Sequence, residues 1–391
     1  MSFEQQKSDQ TPELYDNEST ISTKNKKWSF KKILKEIPKH TKVATVFAAI
    51  SLLIHLTASL STAFSDFFTE NIASHVRSLT ATITGWFPFS LAETILLMLP
   101  VLLIIYFCLT FTYYIKQGNK IISLVFGVLS FLLFLYSFAV FTFLTGYSNS
   151  TLDKKLQLER APVSAQNLYD TAAKVNAELD ILTQVTEFNT NNFSVMPYNI
   201  KKMSDNLLES YKTCAEKYDF LHNINAQIKS VCLSEAMSYT HITGVYTFFT
   251  CEANIDVVFP DFTLPFTAAH EFAHQRGVAR ENEANFVAFL VCINSEDNYI
   301  RYSGYMNMLQ YLLNALYQAD RGLYSELYST LSAETKNELR AYSNFFDKYR
   351  DSTASKVSGA VNDTYLKLQG TEGTKSYGMV VDLAVAYYAD K

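Results

Sequence analysis

The hydrophobic positions along this chain fall into two regimes. Between residues 43 and 145 they run almost unbroken in three long stretches, and after about residue 153 they recur at helical spacing among polar residues. The first stretch, Val43 to Phe64 (VATVFAAISLLIHLTASLSTAF), has no acid, lysine or arginine and is long enough to cross a hydrocarbon core of about 30 Å. It starts too late and runs too long for the apolar core of a cleavable signal peptide, so it is expected to stay as an anchor. Two further spans are expected at Leu91–Ile115 and Ile121–Thr145, and the short polar run Lys116-Gln-Gly-Asn-Lys120 between them makes a helical hairpin. Residues 71–90, with Ile72, Val76, Leu79 and Trp86-Phe-Pro-Phe89, fit either an amphipathic helix lying at the interface or a plain connecting loop.

Residues 1 to about 23 are polar and have no hydrophobic period, which predicts a disordered tail. With the basic flank that follows, residues 1–42 form one cytoplasmic segment. From residue 146 to 391 the pattern is that of a soluble domain, mainly helical, with periodic segments at Ala165–Val185 and Met203–Leu221. The stretch Tyr246–Phe259 is rich in β-branched and aromatic residues between Gly244 and Pro260, which predicts one or two strands.

Charge adds topology. The net charge of -5 comes with no basic stripe interleaved with aromatics, so nucleic acid is not an expected partner, whereas the lipid bilayer is. Between Lys24 and Lys42 stand eight lysines and one acid, Glu36, and two more lysines lie in the hairpin turn. Basic residues are retained on the cytoplasmic side, so the N-terminus is expected in the cytoplasm and everything after residue 146 outside it, in a multi-pass membrane protein.

One short run carries chemistry. In His270-Glu271-Phe272-Ala273-His274 the histidines are four apart, one turn above each other on the same helix face, where both can present imidazole to a Zn2+ ion. Glu271 beside them is placed as general base for a water that the metal acidifies, the chemistry of peptide hydrolysis without a protein nucleophile. A catalytic zinc needs a third protein ligand. Gly277 can end the first helix in a left-handed turn, and a second helix beginning near Arg280 then offers Glu281 and Glu283. Two residues apart means about 200° of rotation, so only one of them faces the metal. Glu283 shares a face with Phe286, Val287, Leu290 and Val291, where a carboxylate needs a strong partner, and is the expected ligand; Glu281 remains the alternative. Tyr302 and Tyr305 are candidate donors to a developing oxyanion, set against simple packing. Glu252 and Asn254 are candidates to orient a ligating histidine or bind substrate backbone, and His241 is a candidate fourth donor, with surface or core roles as the plainer reading. Cys214, Cys232, Cys251 and Cys292 fall in the outer domain, either as two disulfides or as free thiols.

The motif and its surroundings resemble a bacterial membrane protein family labelled domain of unknown function 3810, whose members look like HExxH zinc peptidases. The likeness rests on Gly244-Val-Tyr246, Thr250-Cys-Glu-Ala-Asn-Ile-Asp256, Leu264 to Gly277, Glu281-Asn-Glu-Ala-Asn-Phe286, Arg301-Tyr-Ser-Gly-Tyr305, Tyr365-Leu-Lys367 and Phe87-Pro-Phe-Ser90. It implies three spans followed by a helix-rich α+β, zincin-like domain, with Glu283 as ligand and Asn285 as a structural neighbour. Cys251 departs from the pattern, standing where a glycine is expected, and Thr145-Gly-Tyr-Ser148 lacks the expected tryptophan–glycine pair. The reading is thus a membrane-anchored zinc peptidase acting on peptide or protein; the alternative is a non-catalytic scaffold or binding protein stabilised by zinc.

Overall fold

The structure is a computed structural model that describes residues 37–115, 121–350, 352–373, 375 and 379–389. The polar tail, most of the lysine-rich flank and the turn at 116–120 lie outside the described residues. Helix α1 (Lys39–Leu60) is the first apolar helix, and it ends earlier than Phe64 because Ser61 breaks into extended backbone and caps α2 (Thr62–Phe68) by accepting from the Phe64 N–H. A π-helical turn (Thr69–Ala73) leads into α3 (Ser74–Gly85), so the residues left between interfacial helix and loop are mostly helical. Helices α4 (Leu91–Ile115) and α5 (Ile121–Thr142) follow, the latter stopping short of Thr145 where Phe143 leaves helical geometry and a 3₁₀ turn (Leu144–Ser148) begins. Three helices, Lys39–Leu60, Leu91–Thr112 and Val125–Thr142, are long and apolar enough to cross a membrane. Helix α5 packs mainly along α1 and only lightly on α4.

The remainder is a helical layer around a small sheet. Helices α6 (Leu152–Leu156), α7 (Ala165–Thr183) and α8 (Ile200–Lys217) precede β1 (Lys229–Ser230), α9 (Ser234–Ser238), β2 (Gly244–Thr247) and β3 (Glu252–Ile255). Then come α10 (Thr263–Gln275), α11 (Glu281–Ile293), α12 (Asn298–Ala319), α13 (Arg321–Thr330), α14 (Ala333–Asp347), α15 (Thr353–Leu368) and α16 (Val380–Ala389). Helix α7 starts at a full capping box on Ser164 and Asn167, and α8 at Asn199, which accepts from the Lys202 N–H. The sheet runs in the order β1-β3-β2, with β2 antiparallel to β3 (Val245 opposite Asn254) and β1 parallel to it. The sequence signalled β2 and β3 but not the two-residue β1.

The core gathers on α10, α11 and α12, whose facing sides are almost wholly buried. Gly304 of α12 lets α11 approach so closely that a Cβ there would stand 2.5 Å from that of Cys292. Helix α10 ends in a Schellman turn: the Gly277 N–H bonds to His274 O at 2.9 Å and the Val278 N–H to Ala273 O at 3.1 Å, with Gly277 at φ 95°. Arg77 of α3 is buried against that turn and donates to Arg276 O (3.2 Å), Thr69 O (3.1 Å) and Thr142 O (3.4 Å). The end of the third apolar helix, the juxtamembrane turn and the C-terminus of α10 thus share one guanidinium, which suits the negative ends of two helices.

A residue with a side chain at 277 meets two penalties. The left-handed backbone is strained for it, and its Cβ would stand 2.6 Å from Arg77 Nη2. Gly277→Ala is expected to cost about 2 kcal/mol or more, while Gly85→Ala, with nothing within 4 Å, changes stability by less than about 1 kcal/mol. Thermal unfolding of the two variants in detergent checks the contrast.

Candidate metal centre

The Schellman turn sets the geometry of the site. It turns the chain so that Val278 O comes within 2.7 Å of His274 Nδ1, and this carbonyl can only accept, so Nδ1 carries the proton. His274 Nε2 then faces the start of α11. There Glu281, the first residue of the helix, places Oε2 3.3 Å from His274 Nε2 and 3.2 Å from His270 Nε2. One donor atom from each of His270, His274 and Glu281 lies within 4.8 Å of the others, all buried.

Those distances are also the ones a shared cation would set. Four ligands of a tetrahedral zinc, about 2.0–2.1 Å from the metal, stand about 3.3 Å from one another. Glu281 Oε2 meets the two imidazoles at ion-pair distance, while Glu271 Oε2 and His270 Nδ1 are buried polar atoms with no hydrogen-bond partner. Two nitrogens and one carboxylate oxygen are the donor set of a catalytic zinc with one position left open. Burial pushes His274 down, but the Glu281 and Glu271 carboxylates and Val278 O overcome it and hold the imidazole at about 9. Burial likewise pushes Glu281 up, and the two imidazoles overcome it, holding the carboxyl far below its usual range.

Glu271 points to the other side. Its carboxylate lies against β2, where the bare Gly244 makes room: a Cβ there would be 2.6 Å from Glu271 Oε1. The Tyr246 backbone N–H supports it, and burial raises its pKa against the opposing pull of the two histidines. A carboxylate whose proton affinity burial raises, beside a metal-type cluster, has the properties of a general base. Aromatic rings wall the cluster, Phe143 standing 5.7 Å from the His274 ring and 5.3 Å from Tyr246, and Tyr147 stacking edge-on with Phe143 and with Tyr365 of α15.

Several expectations are corrected here. Glu283 is not at the histidines: its Oε1 accepts from Arg280 Nη1 (2.8 Å) and the Leu152 N–H (3.0 Å). Helix α11 is buried on both sides, with Glu281 and Glu283 each 8 % exposed, so an apolar face does not single out either acid; Arg280 gives Glu283 its counter-charge. Tyr302 packs inside the domain with its hydroxyl toward Glu338, and Tyr305 packs on Phe289. The phenols whose pKa feels the Glu281 charge are instead Tyr365 and Tyr311: burial raises both most, a hydrogen bond with Tyr147 opposes it at Tyr365, Tyr342 adds to it at Tyr311, and Glu281 raises each a little further. Tyr365 stands in a stretch that the family resemblance already marks; Tyr311 had no signal beyond its helical phase. Glu252 does not orient a histidine but caps α4, accepting from the Leu91 (3.1 Å) and Ala92 (2.8 Å) N–H groups. Asn254 donates to Val245 O inside the sheet, and His241 Nε2 meets Tyr349 O at 2.9 Å. Cys214, Cys232, Cys251 and Cys292 are all free thiols. Cys251 sits at φ 52°, in the left-handed region, which is why a glycine suits that position.

A family model described as "Protein of unknown function (DUF3810)" matches residues 68–385. The chain belongs to this family. No curated protein and no solved structure matches it.

The two glutamates of α11 make opposite predictions. Glu281→Gln should lower zinc affinity by at least about a hundredfold, since it removes the charged donor. Glu283→Gln should keep zinc at wild-type stoichiometry while lowering thermal stability, because Arg280 loses its buried partner. Elemental analysis after dialysis against a graded chelator series reads the first, and unfolding curves the second.

Proposed function

We propose that the protein is a membrane-anchored, zinc-dependent peptidase of the HExxH type, with His270, His274 and Glu281 holding the metal and Glu271 as general base. The observation that carries this reading is the convergence of two Nε2 atoms on one buried carboxylate oxygen at 3.2 and 3.3 Å. Zinc in such a site acidifies water and polarises a carbonyl. The work of the chain is then in holding and moving protons. Glu271 accepts one from water and passes it to the leaving amine, staying against Gly244 and the Tyr246 N–H throughout. Val278 O keeps the His274 proton on Nδ1, so Nε2 stays a donor to the metal. Tyr365 is the phenol we assign to the developing oxyanion, because its ring packs on Tyr147, which packs on Phe143 beside His274, and because it stands on a mostly exposed helix.

The lysine-rich flank before α1 favours a cytoplasmic N-terminus, which sets the site outside the cytoplasm. A second reading, a closed zinc site that only stabilises a scaffold, draws support from burial: His270, Glu271, His274 and Glu281 are each less than one-tenth exposed. A structural site has no use for Glu271, which separates the two.

Glu271→Gln is expected to keep about one zinc per chain and to lose about a thousandfold in peptide hydrolysis. Gly244→Ala, which crowds the same carboxylate, is expected to retain zinc and lower kcat with little change in KM. The assay is cleavage of a peptide library by the full-length protein beside its zinc content; unchanged hydrolysis in Glu271→Gln would sink the catalytic reading.

A further inference from the structure

The cluster is bolted to the ends of the apolar helices by several independent ties. The corner between α3 and α4 grips the sheet: Thr84 Oγ1 donates to Thr250 O at 3.0 Å, Lys229 Nζ donates to Phe87 O, and Glu252 caps the first turn of α4. In return Glu93, in that first turn, accepts from the Cys232 (2.9 Å) and Leu233 (2.8 Å) N–H groups. Arg77 joins Thr142 O at the end of α5 to Arg276 O at the end of α10. Phe143, the first residue past α5, lies against His274, so one aromatic ring separates the metal-type cluster from the end of an apolar helix.

Helix α3 marks the level of the membrane surface on the outside of this assembly. It turns Ser74, Arg77, Ala81 and Thr84 inward and leaves Leu79 (64 %) and Ile83 (46 %) exposed beside His75 and Thr82, followed past its end by exposed Trp86 (77 %), Phe87 and Phe89. A helix on a water-facing surface shows the reverse pattern. The exposed stripe runs directly into Leu91, where an apolar helix begins, and an aromatic belt at headgroup depth is what that continuity describes. Lipid is therefore the occupant that covers it.

Resting on the peptidase reading, we infer that the substrate is the stretch of chain immediately outside a membrane anchor of another protein in the same bilayer. A cluster held one ring from a span end meets such a segment without either partner leaving the membrane. Shared confinement raises the effective concentration of the segment at the site, whereas a soluble peptide gains nothing from it. Extended chain covers about 3.3–3.6 Å per residue, and a single ring separates the cluster from the end of an apolar helix, so the bond cut lies within a few residues of the anchor.

The test uses the full-length, zinc-loaded protein in liposomes and a mixed library of peptides about ten residues long in three forms. One form is joined directly to a transmembrane helix of leucine and alanine, one is joined to it through about thirty Gly/Ser residues with a mean reach of about 30 Å, and one is free in solution. Mass spectrometry is expected to show the directly joined library cut at least about tenfold faster than the other two. Equal rates for all three, or a preference for the free library, would overturn the inference and leave the peptidase reading standing. Hydrolysis no greater than that of Glu271→Gln on any form would overturn both. A second readout does not depend on activity: in a Trp28→Phe variant, Trp86 is the remaining tryptophan. Lipids brominated near the headgroup are expected to quench its fluorescence, and no quenching would place α3 in water and overturn the placement of the site.

Discussion

The site depends on one backbone turn. Helix α10 has to stop at Gln275, reverse, and deliver the next helix close enough for its first residue to reach back to both histidines. Gly277 makes this possible because only a residue without a side chain takes φ 95° under the guanidinium of Arg77 at no cost. The same turn closes two orphan carbonyls of α10 and aims Val278 O at His274 Nδ1. Helix termination, imidazole orientation and delivery of the acid are thus one event. Glu281 is the acid delivered because it is the first helical residue after the turn; two residues on, the helix has rotated by about 200° and Glu283 faces Arg280.

That explains how much of the site was legible in the sequence. His270, Glu271 and His274 could be placed because spacing on one helix is a local property, and Gly277 because left-handed helix ends favour glycine. The choice between Glu281 and Glu283 could not be made from an apolar face, since α11 is buried all round and both faces look alike. It depended on where Arg280 pointed, which is set by Tyr147 O and Asn149 O from a distant turn. Tyr302 and Tyr305 failed for the same reason: their nearness in sequence to the motif says nothing about which side of α12 meets α11. The apolar helices were the most legible part, because membrane thickness fixes length and composition directly, and only their ends moved where Ser61 and Phe143 changed the backbone.

Burying Arg77 in the juxtamembrane layer is expensive. It is 1 % exposed, burial lowers its pKa, and its Nε has no partner, so three carbonyls carry the charge. Such an arrangement persists only where the surrounding structure holds it, and here each carbonyl belongs to a different element: the π-helical turn, the end of α5 and the end of α10. Glu252 and Glu93 repeat the principle with opposite charge, each carboxylate settling on backbone N–H groups across the boundary between sheet and α4. Ionic groups lock the membrane part to the metal-type part at several points, and apolar packing such as Phe143 against His274 fills between them.

A domain tethered by one flexible linker can take up any height above its apolar helices. This chain has the opposite construction. The loop between its first two apolar helices, α2 through α3, is itself part of the wall around α10, and the third of those helices ends against a metal-type histidine. Freedom to move away from the surface has been removed at the cost of several buried charges. The return on that cost is a fixed position of the His270, His274 and Glu281 cluster relative to the ends of the apolar helices, and the proposed juxtamembrane substrate rests on that position.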